Sequence, residues 1–368
     1  MQWNIATSMA LNEGNILTIF FALMGGCMLL SAVYVLVKTV RGAGARAKQA
    51  PSLNRKDAEW DIRDGVLDQY KGEQSDVHVP EGVTRVRMSA FKECRVRSVV
   101  MPSTLREMSA WAFNDCANLR EVTFADTFCW NESDHYFNEC DKLSAITYRG
   151  QRCTDFVVEN DVLLLCLLRK ERIETPSGVR RIGGRLFQYG CGYDYAQIRV
   201  SEGVTEIGEG ALRGAAVRKI VLPSTLQTLA ESAFAYCHGL TWVELAGAGE
   251  YENMLILGDV LIAALCNDGV YVVPNGVRRI GNDAFSSARI RAVRSIELPD
   301  TLESIGTGAF AFLPVSRLRI PDRVREIEWG AFMYWNEQQT LELPSRFRES
   351  ANDRSGWRKE CKAKIVYY

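Results

Sequence analysis

PEGVTRVRMSAFKEC (Pro80–Cys94), PSTLREMSAWAFNDC (Pro102–Cys116) and PSTLQTLAESAFAYC (Pro223–Cys237) are three copies of one pattern. It reads Pro-x-x-(Val/Leu)-x-x-apolar-x-x-x-Ala-Phe-x-x-Cys. Followed outward, its first aliphatic position recurs at Val83, Leu105, Phe128, Val179, Val204, Leu226, Val277, Leu302 and Val324, with Phe347 as a truncated tenth. The aromatic position recurs at Phe91, Phe113, Phe137, Phe187, Phe234, Phe285, Phe310 and Phe332, and Leu212 takes it once. Self-similarity at such a period is the mark of a stacked-repeat architecture.

A longer period lies above this one. Val179, Val204 and Leu226 recur 98 residues later as Val277, Leu302 and Val324. RDGVLDQYKG (63–72), NDVLLLCLLRKER (160–172) and GDVLIAALCNDG (258–269) each precede a set of three repeats. Their turn residues between apolar runs predict a β-hairpin ahead of each set. The reading is three modules, each a hairpin plus three repeats.

The pattern resembles the BspA-like bacterial leucine-rich repeats, also called the Treponema pallidum type, over residues 58–345. The resemblance implies a solenoid of short strands in a curved parallel sheet, with short convex helical turns and β-hairpin insertions. Many members of that family look secreted or surface-exposed and serve in adhesion or interaction.

Within each repeat, apolar-x-x-apolar-x-apolar runs such as Leu119–Phe124 and Val315–Ile320 predict a strand with alternate residues in the core. Proline at Pro102, Pro299, Pro321 and Pro344 ends the strand because it has no N–H for the ladder. Pro-x-Gly at Pro80–Gly82, Pro176–Gly178 and Pro274–Gly276 predicts a type I turn. The Ala-Phe segment is expected to form a helical turn whose Phe stacks on the next. Residues 346–368 are expected to cap the stack with a polar helix and a last strand.

ILTIFFALMGGCMLLSAVYVLV (16–37) is uncharged and apolar throughout. At about 1.5 Å per residue a helix of this length reaches about 33 Å, enough for a hydrocarbon core of roughly 30 Å. A cleaved signal peptide would need a basic n-region, and no Lys or Arg precedes the segment. Lys38, Arg41, Arg46, Lys48, Arg55 and Lys56 follow it. Positive charge is held on the cytoplasmic side. The expected order is therefore a short extracytoplasmic tail (1–14), a transmembrane helix (15–38), a basic linker (39–57), the repeat domain (58–345) and a C-terminal cap (346–368). Localisation would be a cell membrane, single-pass, with the repeats in the cytoplasm. Ala22 and Gly26 form a small-xxx-small pair that would permit weak homodimerisation.

Lys plus Arg number 44 against 45 Asp plus Glu, so the chain lacks the positive excess of a non-specific nucleic-acid binder. Eleven cysteines form no CxxC pair, and Cys94, Cys116, Cys140 and Cys237 share one repeat position. Such recurrence reads as small buried hydrophobes, and free thiols fit a reducing compartment. His78, His135 and His238 occupy unlike positions without metal-ligand spacing. No catalytic, cofactor-binding or metal-binding residues are assigned.

The remaining candidate is the outward strand face, where charged residues usually form no more than a solvated surface. Here Arg97, Arg120, Arg199, Arg218, Lys219, Arg294, Arg317 and Arg319 outnumber the acids, and Trp242 stands where water is expected. Arg and Trp are frequent binding hot spots. The face therefore predicts a protein partner, with an acidic segment as its natural ligand. The expected function is a membrane-anchored, non-enzymatic interaction module or scaffold. The alternative is a surface-exposed adhesin or receptor with the repeats outside the cell.

Overall fold

The computed structural model describes residues 53–131, 135–184, 186, 193–265, 269–286, 293–349 and 356–368. The apolar segment 16–37 and most of its basic flank lie outside them. Among the described residues no helix is long and apolar enough to cross a membrane.

Each repeat crosses the molecule in two strands that pair in register with the same strands of its neighbours. In module 1 the longer strands are Asp76–His78, Ser98–Val100, Glu121–Thr123 and Ala145–Tyr148, all parallel, closed by antiparallel Gln151–Cys153. Module 2 repeats the plan with Arg172–Glu174, Asp194–Arg199, Ala216–Leu222 and Trp242–Leu245, closed by antiparallel Gly249–Tyr251. Module 3 pairs Val270–Val272 with Ser295–Glu297, and Arg317–Arg319 with Thr340–Leu343 and the parallel Lys364–Tyr367. The second ladder is built of two-residue strands such as Arg181–Ile182, Glu206–Ile207 and Thr228–Leu229.

Three antiparallel hairpins open the shorter ladders: Trp60–Arg63 with Val66–Tyr70, Phe156–Glu159 with Val162–Cys166, and Met254–Leu257 with Val260–Ala264. All three carry a register shift at the equivalent point. Asp64 and Gly65 turn at φ 49° and 73°, and Asn160 and Asp161 at 50° and 63°. Two consecutive positive φ values give a type I′ turn, whose twist matches the flanking strands.

Alternation places one residue of each longer strand in the core, as with Val99, Val122 and Ile146, and these are buried. The aromatic anchors form a column beside them. Phe91 stacks on Phe113 at 4.7 Å, and Phe113 on Phe137 at 5.3 Å. In module 3, Phe285, Phe310 and Phe332 follow at 5.1 and 5.7 Å. The first hairpin joins the column through Tyr70 on Phe91, and in module 3 the longer strand Val270–Val272 joins it through Tyr271 on Phe285.

The Ala-Phe segments are not the helical turns that the repeat pattern suggested. Residues two before and two after the anchor have positive φ: Ser89 and Glu93 at 59° and 57°, Trp111 and Asp115 at 56° and 57°, Gly308 and Phe312 at 62°. A right-handed helix cannot pass through such residues. Their N–H groups turn to the next repeat instead, Ser89 to Trp111 O at 2.9 Å, Phe91 to Ala112 O at 2.9 Å and Glu93 to Asn114 O at 2.8 Å. The segment is thus a third line of inter-repeat hydrogen bonds. The C-terminal polar helix is likewise not found in the described part of residues 346–368. A 3-10 turn at Ser345–Phe347 and the turns at 356–360 lead into the last strand.

The Pro-x-Gly turns also differ from the type I expectation. Gly82, at φ 96°, is the third residue of a turn closed by Val83 N–H on Pro80 O at 3.3 Å, which is type II geometry. The next repeat lays a Pro-Ser-Thr turn over it. Thr104 Oγ1 accepts from Gly82 N–H at 2.9 Å and donates to Val83 O at 2.8 Å. Glu81 accepts from Ser103 N–H and Oγ, both at 2.9 Å. Glu202, Ser224, Thr225 and Gly203 repeat the clamp in module 2.

Phe113, fully buried between two rings, should be the costliest kind of anchor to lose. Phe113→Ala is expected to lower unfolding free energy by ~3–5 kcal/mol, read by chemical denaturation. Phe113→Leu, which copies the natural Leu212, should cost less; equal losses would contradict the stacked column.

Candidate binding face

The longer ladders carry the outward residues that the sequence singles out, and hydrogen bonding sorts them into separate columns. One column lies just ahead of the paired strand residues. There Arg120 N–H bonds Arg97 O at 2.8 Å, Arg97 N–H bonds Ser75 O at 2.6 Å, and Arg294 N–H bonds Gly269 O at 2.6 Å. Arg218 takes the same place in module 2, where its carbonyl receives Thr241 N–H at 3.0 Å. Arg97, Arg120, Arg218 and Arg294 are all exposed, and no described side chain pairs with their guanidinium groups. We call this column the rim.

The other five residues stand on the face proper and are already engaged or close to a charge. Lys219 and Trp242 are cross-strand partners. Lys219 Nζ lies 5.4 Å from the Trp242 ring centroid and bonds Glu244 at 2.7 Å. The hydrogen bond from Lys219 is the main force holding the Glu244 carboxyl below the ordinary carboxylate range, with Arg199 adding a smaller through-space pull. Trp242 is half-buried, and its indole N–H reaches no acceptor among the described residues. Arg317 pairs with the buried Glu342. Arg319 lies 4.0 Å over the Tyr368 ring.

Two acids beside the module 1 rim are also committed. Glu121 receives Arg152 at 3.0 and 3.2 Å and Thr147 at 3.1 Å. Asp76 receives the Ser75 and Ser98 hydroxyls, each at 2.6 Å. These bonds, the one from Ser75 first, keep the Asp76 carboxyl low, and Arg97 acts on it only through space. Of the candidate cations, the rim arginines, with Arg199 on the face, are thus those whose side chains make neither an ion pair nor a ring contact among the described residues.

Other chemistry is sparse. The repeat-position thiols are hydrogen-bond donors inside the stack: Cys116 Sγ to Phe91 O at 2.8 Å and Cys237 Sγ to Leu212 O at 3.0 Å. A hydrogen bond with Cys140, then burial, pushes the Cys116 thiol up, so it is a poor nucleophile. Among the described residues no group of three or more His, Cys, Asp or Glu could hold a metal. A cavity of about 370 Å³ lies between the closing strand of module 1 and the start of module 2, lined by Gln151–Phe156, Val158 and Pro176. It gathers no cluster of catalytic groups.

The Glu244 shift has a defined sign. Its folded value lies below its unfolded one, so the Lys219–Glu244 contribution is present above the unfolded value and fades as pH falls through the folded value. Carboxyl NMR should give a Glu244 midpoint below that of free glutamate, and Lys219→Met should return it toward that value. No change on this substitution would rule out the pairing.

No curated protein matches the chain. Solved structures with similarity include a leucine-rich cell surface protein of Faecalibacterium prausnitzii, 21% identical, with a TM-score of 0.46, covering 87% of this chain and 96% of that one. The pneumococcal vaccine antigen PcpA is 13% identical, with a TM-score of 0.34, over 87% and 100%. A Treponema pallidum leucine-rich repeat protein is 18% identical, with a TM-score of 0.22, over 68% and 82%. The family described as the BspA type leucine-rich repeat region matches residues 62–189, 159–251 and 266–353, in six copies. That is most of the sequence, and the chain belongs to this family.

Proposed function

We propose that this protein is a membrane-anchored, non-enzymatic interaction module that holds a protein partner on the outward face of its longer ladders. The carrying observation is the rim: four exposed arginines at the equivalent place of the longer ladders in three modules, with no described side chain paired to their guanidinium groups. Solenoids commonly bind along an extended sheet, and unpaired arginines favour an acidic polypeptide segment there. Trp242, half-buried, supplies an aromatic contact beside Lys219.

The anchor reading rests on the uncharged run 16–37, and the cytoplasmic reading on the basic residues that follow it. Thiols used as buried hydrogen-bond donors suit a reducing compartment. Weak self-association through Ala22 and Gly26 belongs to the same proposal. Arg55–Lys56 pair with Asp61–Ile62, so in this reading the tether shortens to residues 39–52 and spans roughly 20 Å if flexible. Its positive charges add about 1 kcal/mol each near an anionic leaflet.

Two measurements test the proposal. A C-terminal fusion should be active with a cytoplasmic reporter and silent with an exported phosphatase; an active phosphatase would put the repeats outside. Cross-linked partners should be lost from a Trp242→Ala, Arg218→Glu double variant of unchanged melting temperature. An unchanged partner set would remove the face from consideration.

A further inference from the structure

The rim is not uniform, and its one doublet has a chemistry of its own. Arg97 and Arg120 stand on adjoining rungs, joined by the 2.8 Å bond from Arg120 N–H to Arg97 O. Neighbouring parallel strands are about 4.8 Å apart, so the two side chains leave the backbone side by side. Arg218 and Arg294 have no arginine on the rungs paired with them: Ala196 and Thr241 flank the first, and Gly269 lies beside the second. Ser75 and Ser144 complete the module 1 column on either side of the doublet. The column thus reads Ser-Arg-Arg-Ser, with two positive charges where modules 2 and 3 carry one.

Two like charges side by side in a ladder are unfavourable unless something compensates them. Of the local acids, Glu121 is paired with Arg152 and Thr147, and Asp76, held by two serine hydroxyls, reaches Arg97 only through space and makes no bond to either guanidinium. One carboxylate satisfies one guanidinium bidentately and would leave the second unmatched. A phosphoryl group carries about −1.5 to −2 charges and three acceptor oxygens, which matches two guanidiniums in charge and in donors. We propose that Arg97 and Arg120 form a docking site for a phosphorylated residue of the partner segment, with Arg218 and Arg294 taking single carboxylates farther along it. This rests on the binding-face reading above and names its ligand more narrowly.

A phosphorylated lipid headgroup offers the same anion. The surroundings favour the polypeptide. Ser75, Asp76, Ser98 and Glu121 adjoin the doublet, so these neighbours offer a bilayer no apolar side chain to insert. Arginine also recurs at the equivalent place in the two further modules, which offers an acidic chain further contacts and a single headgroup none.

The test uses the full-length chain in neutral detergent micelles and fluorescence anisotropy. The probes are a glutamate-rich peptide with one phosphoserine, the same peptide unphosphorylated, and vesicles bearing a phosphoinositide. Wild type should prefer the phosphopeptide by about tenfold or more, the scale of extra charge-assisted bonds. Arg97→Gln with Arg120→Gln should abolish that preference while leaving the unphosphorylated peptide bound. Arg218→Gln should weaken both peptides and keep the preference. Arg97→Lys with Arg120→Lys should recover only part of it, because ammonium groups bind phosphate without the bidentate fork. Equal affinity of wild type for the two peptides overturns the phosphate site and leaves the acidic-segment reading standing. Failure of wild type to bind either peptide overturns both. Binding of phosphoinositide vesicles through the two arginines, without phosphopeptide preference, overturns the polypeptide ligand.

Discussion

The in-register backbone ladder is the constraint from which the rest of this structure follows. Each repeat returns to the same three lines of hydrogen bonds: the longer strands, the two-residue strands and the turns around the aromatic anchor. Neighbouring rungs are then fixed at about 4.8 Å. Whatever residue type a repeat position carries must stack on its copies at that spacing. Phenylalanine tolerates this well, since offset rings gain from such contact, and the observed ring separations of 4.7 to 5.7 Å follow the rung spacing. Cysteine tolerates it because a thiol can donate to the carbonyl of the rung before it. Arginine tolerates it only while its head remains in water or meets an anion.

The magnitudes separate what holds the fold from what decorates it. A buried anchor ring is worth several kcal/mol, whereas an exposed ion pair such as Arg85–Glu107 contributes about 0–1 kcal/mol. Between these lie the turn clamps. Ser103 N–H and Thr104 Oγ1 join consecutive turns through directed bonds at the surface. They fix the phase of one repeat against the next without adding to the core. The core itself falls into three clusters, running from Trp60 to Leu167, Leu163 to Leu265 and Leu261 to Ala363, and they overlap in residue number at both junctions. At the second junction side chains bridge the modules. Arg279 bonds Glu231 at 2.7 Å and Glu328 at 2.8 Å, and Arg213 meets Asp283 at 3.2 Å. These ties cross where the shorter ladder is interrupted between Thr228–Leu229 and the third hairpin, so they carry alignment that its backbone does not.

Much of this was legible in the sequence because it depends on residue type at fixed spacing. The Phe column, the alternating strands and the three hairpins follow from Phe91, Phe113, Val66, Val162 and Val260 without coordinates. The character of the Ala-Phe segments was not legible. Its left-handed positions are filled by Ser89, Trp111, Asp283 and Phe312 as well as by glycine, and side chains of that kind do not announce positive φ. A regular helix had the better local propensity, and pairing with the next repeat overrode it. The clamps were hidden for a related reason, since Glu81 and Thr104 acquire their roles only from the rung above or below.

The binding face shows where sequence reasoning by surface charge stops. Nine residues looked alike as outward cations or aromatics, and the ladder divides them by what stands one rung away. Lys219 has Trp242 and Glu244, Arg317 has Glu342 and Arg319 has Tyr368. Their charge is spent on the fold, and replacing them would disturb packing before it disturbed a ligand. Arg97, Arg120, Arg218 and Arg294 take the equivalent backbone place in three separate sheets and have no such neighbour. The rim arginines meet their neighbours through backbone hydrogen bonds alone, whereas Lys219 and Arg317, one place further along, reach Glu244 and Glu342. A charge at the rim place therefore stays available for another molecule by virtue of its position.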